Sequence, residues 1–521
     1  MKKILYIVST VTMLFSLTNC ADKFDEIDVN PNQTSHPLTY GIFNSTMREY
    51  LTEMRGSFSS GRVALPWVQY SAQRTYTEED RYQYRLTSGV AIWSVSYRVA
   101  QDYKQIIDLN TDPATRSQVS AYGPNDNQIA ASRIMLSYIF SNLADSFGDI
   151  PYYSYGNKDA DFQALNVNGQ LQPKFASQAK VYADILKELK EASEMIVPGV
   201  VFTSGDRLFG SSAKMKKFAN SLRLRIATRV KGVVPGAEAH IADAIASGVM
   251  TSNDDTVGLT FENNLTYPSP MYNDFRTRSD LAISKTFVDL LKGNKGNFGL
   301  DPRLFKYATP KGVAKSLILA GTSPESTNPA DFVGMPYGVS SSAAPSQASA
   351  GNFNYFSKNV YKMDYTEVLM EFSEVQFLLS ENNGWSQTEY INGVKASLSR
   401  WGVDQTSANA YVASLPPASK ENVITQKYIA LYMQPYEAWS EYRRTGYPNT
   451  LLLPGQTGTY NVPYEGSTTY TFTSLIDGLT DLPTRLYYPT SVQSLNRVNY
   501  EAASTSIGGD KMNTKLIWDK N

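Results

Sequence analysis

Apolar residues recur at every third or fourth position through most of the chain from about residue 38 onward, which is the spacing of amphipathic α-helices. Within residues 176–197, for example, Tyr182, Leu186 and Leu189 fall on one stripe, and Lys and Glu residues lie opposite. The same period predicts helices over residues 89–109, 126–147, 176–197, 211–232, 365–383, 386–402, 419–433 and 435–445. Strand-like alternation is confined to short pieces such as residues 256–261 and 470–472. The sequence therefore predicts a mainly α fold with little β structure.

The predicted helices come in antiparallel pairs joined by loops of varying length. Hairpins of about 35 to 45 residues are typical of tetratricopeptide-like helix pairs. Two regions depart from the helical pattern: residues 250–360, which include a low-complexity run at 340–356, and residues 446–521, which are rich in Pro, Tyr and Thr. Long irregular insertions on a helical scaffold are a common place for binding residues. We therefore expect ligand-binding residues in these two regions.

The first twenty residues have the pattern of an export signal. Lys2 and Lys3 precede an apolar run, Ile4 to Phe15, which is too short to span about 30 Å of hydrocarbon. The twenty-residue segment ends in Leu-Thr-Asn followed by Cys20, which resembles a bacterial lipoprotein cleavage site, and Cys20 is the only cysteine of the chain. A buried free cysteine is the alternative. We predict a signal peptide over 1–19, a lipidated leader over 20–37, and a single helical domain over 38–521 that is tethered to a membrane by its lipid.

Composition argues against several classes of function. The 48 Lys and Arg residues are balanced by 49 Asp and Glu residues, so no basic field is present to attract nucleic acid. With two histidines and one cysteine, a zinc site is not expected. No phosphate-binding or hydrolase motif occurs, and we expect no cofactor. Scattered loop carboxylates and carbonyls leave a structural Ca²⁺ open. A secreted glycan hydrolase that uses Glu78 or Asp80 is a less favoured alternative.

Aromatic residues are abundant, with 35 Tyr, 22 Phe and 6 Trp. In residues 66–84 they are interleaved with Gln and Arg, a mixture that suits sugar rings and their hydroxyl groups. A second group is Tyr267, Tyr272, Asn273 and Arg276, and a third is Tyr337, Asn354 and Tyr355. A bound peptide, or a buried edge of the core, would produce the same pattern. The candidate ligand-binding residues are Trp67, Tyr70, Gln73, Tyr76, Arg81, Tyr82, Tyr267, Tyr272, Asn273, Tyr337 and Tyr355.

Among these candidates, four aromatic residues are the ones that we expect to stack on a ligand: Trp67, Tyr70, Tyr82 and Tyr272. The expected hydrogen-bonding partners are Gln73, Arg81 and Asn273. A separate Arg-rich stretch, Asn220 to Arg229, alternates with an apolar stripe. It predicts a helix whose arginines reach past the core to solvent, in preference to an anion-binding patch.

Eight short segments in order carry a family resemblance: Asp25–Asn32, Phe147–Tyr152, Val181–Leu186, Lys217–Arg225, Asp301–Leu304, Glu374–Glu381, Pro483–Pro489 and Gln493–Asn496. Together they resemble the SusD/RagB-like nutrient-binding lipoproteins of Bacteroidetes over nearly the whole mature chain. Two segments depart from the family pattern: Ser373 and Ser380 occupy positions that are usually Ala, and residues 205–212 end in Gly-Ser-Ser in place of Gly-Gly-Asp.

The resemblance implies a scaffold of tetratricopeptide-like helix pairs and no catalysis. It also implies a cell-surface position on the outer membrane and a SusC-like TonB-dependent transporter as partner, to which the lipoprotein delivers an oligosaccharide. Three alternatives stay open at this point: peptide capture by the same architecture, the hydrolase described above, and a purely structural lid without a ligand of its own.

Overall fold

The structure, a computed structural model, describes residues 37–344, 351–462 and 466–519. The predicted signal peptide, Cys20 and the leader up to residue 36 lie outside the described residues. The longer helices are α1 (Thr39–Arg55), α2 (Leu86–Thr111), α3 (Asn125–Phe147), α4 (Gln178–Met195), α5 (Ser212–Arg229), α6 (Ala237–Ala246), α7 (Pro270–Thr277), α8 (Lys285–Leu291), α9 (Phe372–Asn382), α10 (Gln387–Arg400), α11 (Gln405–Ala413), α12 (Lys420–Ala430), α13 (Pro435–Thr445) and α14 (Arg497–Ser506).

Short helical turns lie between the longer helices: Ser60–Ala64, Leu65–Trp67, Arg116–Val119, Ser120–Tyr122, Asn253–Asp255, Leu304–Tyr307, Lys315–Leu319, Pro329–Asp331 and Thr490–Leu495. The strands are β1 (Ser71–Gln73), β2 (Val257–Thr260), β3 (Leu281–Ile283), β4 (Thr366–Met370), β5 (Thr457–Val462) and β6 (Gly466–Thr471). They form three antiparallel pairs, β1 with β3, β2 with β4, and β5 with β6.

Consecutive helices pack side by side, as the sequence predicts. Helices α1 to α6 contact one another in chain order, and α9 contacts both α10 and α12. Helix α3 ends at Gly148, whose φ of 94° belongs to the region that glycine adopts most easily. One continuous hydrophobic core runs from Phe43 in α1 to Trp518 near the C-terminus. The prediction of a mainly α, helix-pair scaffold is confirmed. Within the described ranges, no helix is both long and apolar enough to cross a membrane.

Two details of the secondary-structure prediction are wrong. Residues 366–370, predicted as the start of a helix, form strand β4, because they pair with β2 more than a hundred residues earlier. The region 446–521, predicted as mostly irregular, contains the β5–β6 hairpin and the ten-residue helix α14. A helical period in the sequence reveals neither the pairing of distant strands nor the elements of a region rich in Pro, Tyr and Thr.

The Arg-rich stretch of α5 is helical, but its arginines do not reach solvent. Arg225 pairs with Glu374 at the start of α9, and Arg229 pairs with Asp145 of α3 at 2.6 Å and with Glu437 of α13. Arg225 and Arg229 are only 3% and 2% exposed. The solvent-reaching prediction is therefore wrong: these cations are buried because carboxylates from three other helices neutralise them.

Candidate ligand-binding surface

The β1–β3 pair brings together two loops beyond the C-terminal end of α1. Ser71 pairs with Ile283 and Gln73 with Leu281, and the backbone N–H of Arg74 then donates to the carbonyl of Asp280 at 2.6 Å. Residues 74–76 therefore emerge from the sheet beside residues 278–280. The register of two three-residue strands thus fixes which side chains of these loops become neighbours.

Two aromatic rings are exposed here, and each is faced by an arginine. Tyr76 is 39% exposed, and the guanidinium carbon of Arg278 lies 5.4 Å from its ring centroid. Phe58 is 40% exposed, and Arg62 lies 4.7 Å from its ring centroid. Attraction between a cation and a ring face contributes about 0.5–1 kcal/mol at an exposed site. The rings are thus held in place while much of their surface stays accessible.

A third arginine connects these rings to the C-terminal end of the low-complexity run. The guanidinium carbon of Arg74 lies 4.2 Å from the ring centroid of Phe353 and 5.2 Å from that of Tyr355. Its Nη1 donates to the Tyr355 hydroxyl at 2.6 Å and to the Ser279 carbonyl at 2.8 Å. Both rings are half-buried. We call this set the aromatic–arginine surface: Phe58, Arg62, Arg74, Tyr76, Arg278, Phe353 and Tyr355.

Buried polar groups hold the turn that carries Tyr76. Asp80 accepts a hydrogen bond from the backbone N–H of Gln73 at 2.8 Å, and the side-chain amide of Gln73 donates to Glu79 at 2.9 Å. Glu79 also pairs with Arg85 at 2.7 Å and lies 3.5 Å from Arg62. Burial raises the pKa of Asp80 well above its usual range and raises that of Glu79 as well. These contacts make the turn a rigid support for the exposed ring.

The same geometry bears on the residues considered for hydrolysis. Asp80 is 0% exposed and is committed to the backbone of Gln73. Its carboxyl therefore cannot reach a bound glycan in this arrangement, whereas Glu78 is half-buried at the edge of the turn. The pairing of two carboxylates across a sugar that such chemistry requires is not formed by these residues.

Three of the rings predicted to stack on a ligand lie in the core. Trp67 is 1% exposed and packs edge-on against Trp439 at 5.1 Å between ring centroids. Tyr70 and Tyr82 are both 0% exposed; Tyr70 stacks on Tyr428 at 4.8 Å. The prediction of direct stacking is wrong for these residues, because rings from distant segments already cover their faces.

Three further candidates are buried too. Tyr337 is 1% exposed and packs against Phe472 at 5.5 Å, and Tyr272 is 7% exposed. Gln73 is 2% exposed, with its amide bonded to Glu79 and to the carbonyl of Gly61. The prediction of a direct ligand contact is therefore wrong for these three residues as well. Gln73 acts instead as a link between the sheet and the turn beneath Tyr76.

The remaining candidates are accessible but are not gathered in one place. Tyr76 and Tyr355 belong to the aromatic–arginine surface. Tyr267 is 43% exposed and lies under Arg48, in the middle of α1, at 3.9 Å. Asn273 is exposed on α7 and accepts a hydrogen bond from Arg276 at 3.2 Å. Arg81 is half-buried. The structure therefore unites the first and third predicted groups through Arg74, and places Tyr267 apart from them.

Sequence reasoning missed five members of the surface: Phe58, Arg62, Arg74, Arg278 and Phe353. One signal was available, because Phe353 and Tyr355 are two positions apart and residues so spaced share a face of an extended segment. The β1–β3 register places Arg74 beside residues 278–280, and Phe58 and Arg62 belong to the segment after α1, where the backbone N–H of Ser57 donates to Asp274 at 2.6 Å. Among the described residues, no three His, Cys, Asp or Glu side chains converge as a metal site.

Two models of known protein families match this chain. A family model described as "Starch-binding associating with outer membrane", of the SusD-like type, matches residues 31–464. A second model, described as "Susd and RagB outer membrane lipoprotein", matches residues 417–519. No curated protein matches the chain.

Solved structures show the same fold. A chitin-binding protein is 25% identical with a TM-score of 0.72, and the alignment covers 93% of this chain and all of that one. A chitin-binding SusD homologue from Flavobacterium johnsoniae is 21% identical with a TM-score of 0.71, covering 93% and 99% of the two chains. A SusD homologue from Bacteroides ovatus has the same identity, TM-score and coverage. Since one family model spans most of the sequence and agrees with the fold, the chain belongs to the SusD-like family.

Proposed function

We propose that this protein is a cell-surface lipoprotein that binds an oligosaccharide and delivers it to a TonB-dependent outer-membrane transporter. The observation that carries the binding part is the aromatic–arginine surface. Tyr76 and Phe58 offer exposed ring area, and the arginines beside them carry N–H groups in fixed planes. Sugar rings pack on aromatic faces, and their hydroxyls accept hydrogen bonds from guanidinium groups.

The placement of the surface supports a tethered binding role. The chain enters α1 at Thr39, and Phe58 lies just beyond the other end of this 17-residue helix. At 1.5 Å per residue, the helix separates the two points by about 25 Å. A lipid on Cys20 would attach the body through the Thr39 end. The aromatic–arginine surface would then lie away from the anchor and be free to meet a ligand.

The expected affinity is modest. A stacked ring contributes about 0.5–1.5 kcal/mol, and a few such contacts must also offset the cost of immobilising the ligand. Modest affinity suits a protein that passes its ligand onward. The family description and the printed names of the chitin-binding relatives point to glucose- and N-acetylglucosamine-based glycans as the first ligands to test.

The test is a calorimetric titration of the full chain, in detergent, with malto-oligosaccharides, chito-oligosaccharides and unrelated hydrophilic peptides. The proposal predicts saturable binding of at least one glycan series, tighter for longer oligomers, and no binding of the peptides. Binding of the peptides alone would replace glycan capture by peptide capture. Delivery is tested separately, by co-purification of an outer-membrane transporter with the tagged lipoprotein from its native membrane; a lipoprotein recovered alone would contradict it.

A further inference from the structure

A second concave site lies beside the β2–β4 pair. It is a cleft of about 520 Å³ between the first turn of α5, the Asn253–Asp255 turn, residues 359–366 and the C-terminal end of α10. Pockets of roughly 300–1,000 Å³ are the usual size for small ligands. None of its lining residues belongs to the aromatic–arginine surface. We call it the β2–β4 cleft.

The cleft is lined by more positive than negative charge, although the whole chain carries a net charge of −1. Its walls include Lys214, Lys362 and Arg400 against the single acid Asp254. Arg400 is partly neutralised by Glu371, at 3.0 Å, and the exposed Lys362 lies 3.8 Å from Asp364. The third cation has no such partner, and it determines which charge of ligand the cleft would bind.

That cation is Lys214. Its neighbour Lys217 pairs with Asp255 at 2.8 Å, but no carboxylate of a described residue lies within ion-pair distance of the Lys214 amine. The side chain is half-buried, and burial lowers its pKa below the ordinary value in spite of Asp255, Asp206 and Asp254 nearby. A half-buried ammonium group without a counter-ion is stabilised when an anion enters beside it.

Groups suited to sugar hydroxyls line the same cleft. Asn359 donates its amide N–H to the carbonyl of Lys306 at 3.0 Å, which leaves its side-chain oxygen as an acceptor. Thr366 also lines the cleft, and its hydroxyl shares a hydrogen bond with the hydroxyl of Thr260 at 2.8 Å. Trp401 supplies an apolar wall; it packs edge-on against Tyr307 at 4.6 Å, with Arg400 5.4 Å above its ring. The cleft therefore combines one unpaired cation with uncharged polar groups and an aromatic wall.

We propose that the β2–β4 cleft binds an anionic sugar residue, carboxylated or sulfated, with Lys214 beside the acidic group. A neutral sugar would leave the ammonium group of Lys214 without a partner, and a highly charged polyanion would meet Asp254. A single negative charge on a polyhydroxylated ring matches the lining best. This binding is independent of the aromatic–arginine surface, and it extends the proposed function to glycans that contain acidic units.

The experiment is a calorimetric titration of the full chain with D-glucuronate and with D-glucose 6-sulfate, using D-glucose as the neutral reference. We expect one or both acids to bind, at least tenfold more tightly than glucose, and we expect their binding to weaken as salt is added. Binding of glucuronate alone assigns the site to carboxylated sugars, and binding of the sulfate alone assigns it to sulfated sugars. Binding of neither acid, or equal binding of glucose, would overturn the proposal.

A pair of variants on α5 locates the binding. Lys214→Gln removes the charge in the cleft, whereas Lys216→Gln removes an exposed charge two residues away. We expect Lys214→Gln to weaken binding of the acid about tenfold or more, and Lys216→Gln to leave it unchanged, with equal melting temperatures. Equal losses in both variants would mean diffuse charge attraction and would refute the cleft. Tyr76→Ala should not affect this titration, so the two binding proposals can fail separately.

Discussion

Arginine serves opposite purposes in two regions of this molecule. In the ion-pair core between α3, α5, α9 and α13, Arg225 and Arg229 are almost wholly buried and are neutralised by Glu374, Asp145 and Glu437. In the aromatic–arginine surface, Arg74 and Arg278 lie against aromatic rings. Their hydrogen bonds go to the Ser279 carbonyl, the Tyr355 hydroxyl and the half-buried carboxylate of Asp280.

The difference shows how position determines what a guanidinium contributes. A buried cation must be paired, because removing its partner or the cation itself leaves an unneutralised charge at a cost of about 3–5 kcal/mol. A surface arginine over a ring contributes little to folding but keeps part of its donor capacity for a ligand. We therefore expect stability to depend mainly on the first region and, under the proposed function, ligand binding to depend on the second.

The largest effect is expected from Arg229→Leu. This change leaves Asp145 buried without its cation and leaves Glu437 with only Arg225, at 3.6 Å, and we expect the free energy of unfolding to fall by about 3–5 kcal/mol. Guanidinium denaturation followed by circular dichroism measures it. A loss below about 1 kcal/mol would show that the buried network is not required for stability, and the comparison would fail.

Glu367 tests whether a buried acid also needs a partner in order to be charged. Its side chain is 1% exposed, and one of its carboxyl oxygens has no hydrogen-bond partner. Burial raises its pKa to about 7, although Arg55 and Arg400 oppose the rise. In the unfolded chain a glutamate has a pKa of about 4.3, so the folded state holds the extra proton and stability falls as pH rises from about 4.3 to 7. The fall amounts to about 4 kcal/mol.

The variant Glu367→Gln should remove this loss, so that its unfolding free energy changes less than that of the parent between pH 5 and pH 8. Urea denaturation at both pH values measures the difference. If the parent and the variant show the same pH dependence, Glu367 is ionised in the folded protein and its two arginines neutralise it.

Removal of the exposed ring should weaken glycan binding without affecting folding. We expect Tyr76→Ala to lower affinity by about 0.5–1.5 kcal/mol, or roughly twofold to tenfold, in titrations with the oligosaccharide that the parent binds. Tyr267→Ala is the matched control, because Tyr267 is similarly exposed and also faces an arginine. A loss confined to Tyr267→Ala would move the ligand to the middle of α1.

The smallest effect on stability is expected from Arg278→Leu, the same substitution as in the core but at the surface. Arg278 is exposed, and its partner Asp280 is also solvent-accessible. An exposed pair of this kind contributes about 0–1 kcal/mol. Denaturation should therefore give a change within that range. A loss as large as that of Arg229→Leu would remove the distinction between the two regions.

The sequence was sufficient to predict helices whose formation depends on residues close together in the chain. The helical period predicted α3 and α4 within a few residues, and Gly148 marked the end of α3. The sequence was insufficient where contacts between distant segments determine the structure. The acids that neutralise Arg225 and Arg229 lie 149 and 84 residues away, and residues 366–370 form strand β4 because they pair with β2.

The same limit applies to the aromatic–arginine surface. Two of the predicted candidates, Tyr76 and Tyr355, belong to it, and their role in binding stays a prediction. Composition cannot tell which of several neighbouring rings faces outward: Trp67 and Tyr76 lie nine residues apart, yet Trp439 covers the first and leaves the second exposed. Arg278 joins the surface through the β1–β3 register, and Phe58 follows Ser57, whose backbone N–H donates to the distant Asp274.

The central claim is that the ligand lies on the aromatic–arginine surface. Hydrogen–deuterium exchange of the full chain, with and without saturating oligosaccharide, tests it directly. The account predicts slower exchange in peptides that cover residues 57–62, 74–78, 276–281 and 351–356, and unchanged exchange in residues 262–268. Protection confined to residues 262–268, or to any segment outside those four while they remain unchanged, would contradict it.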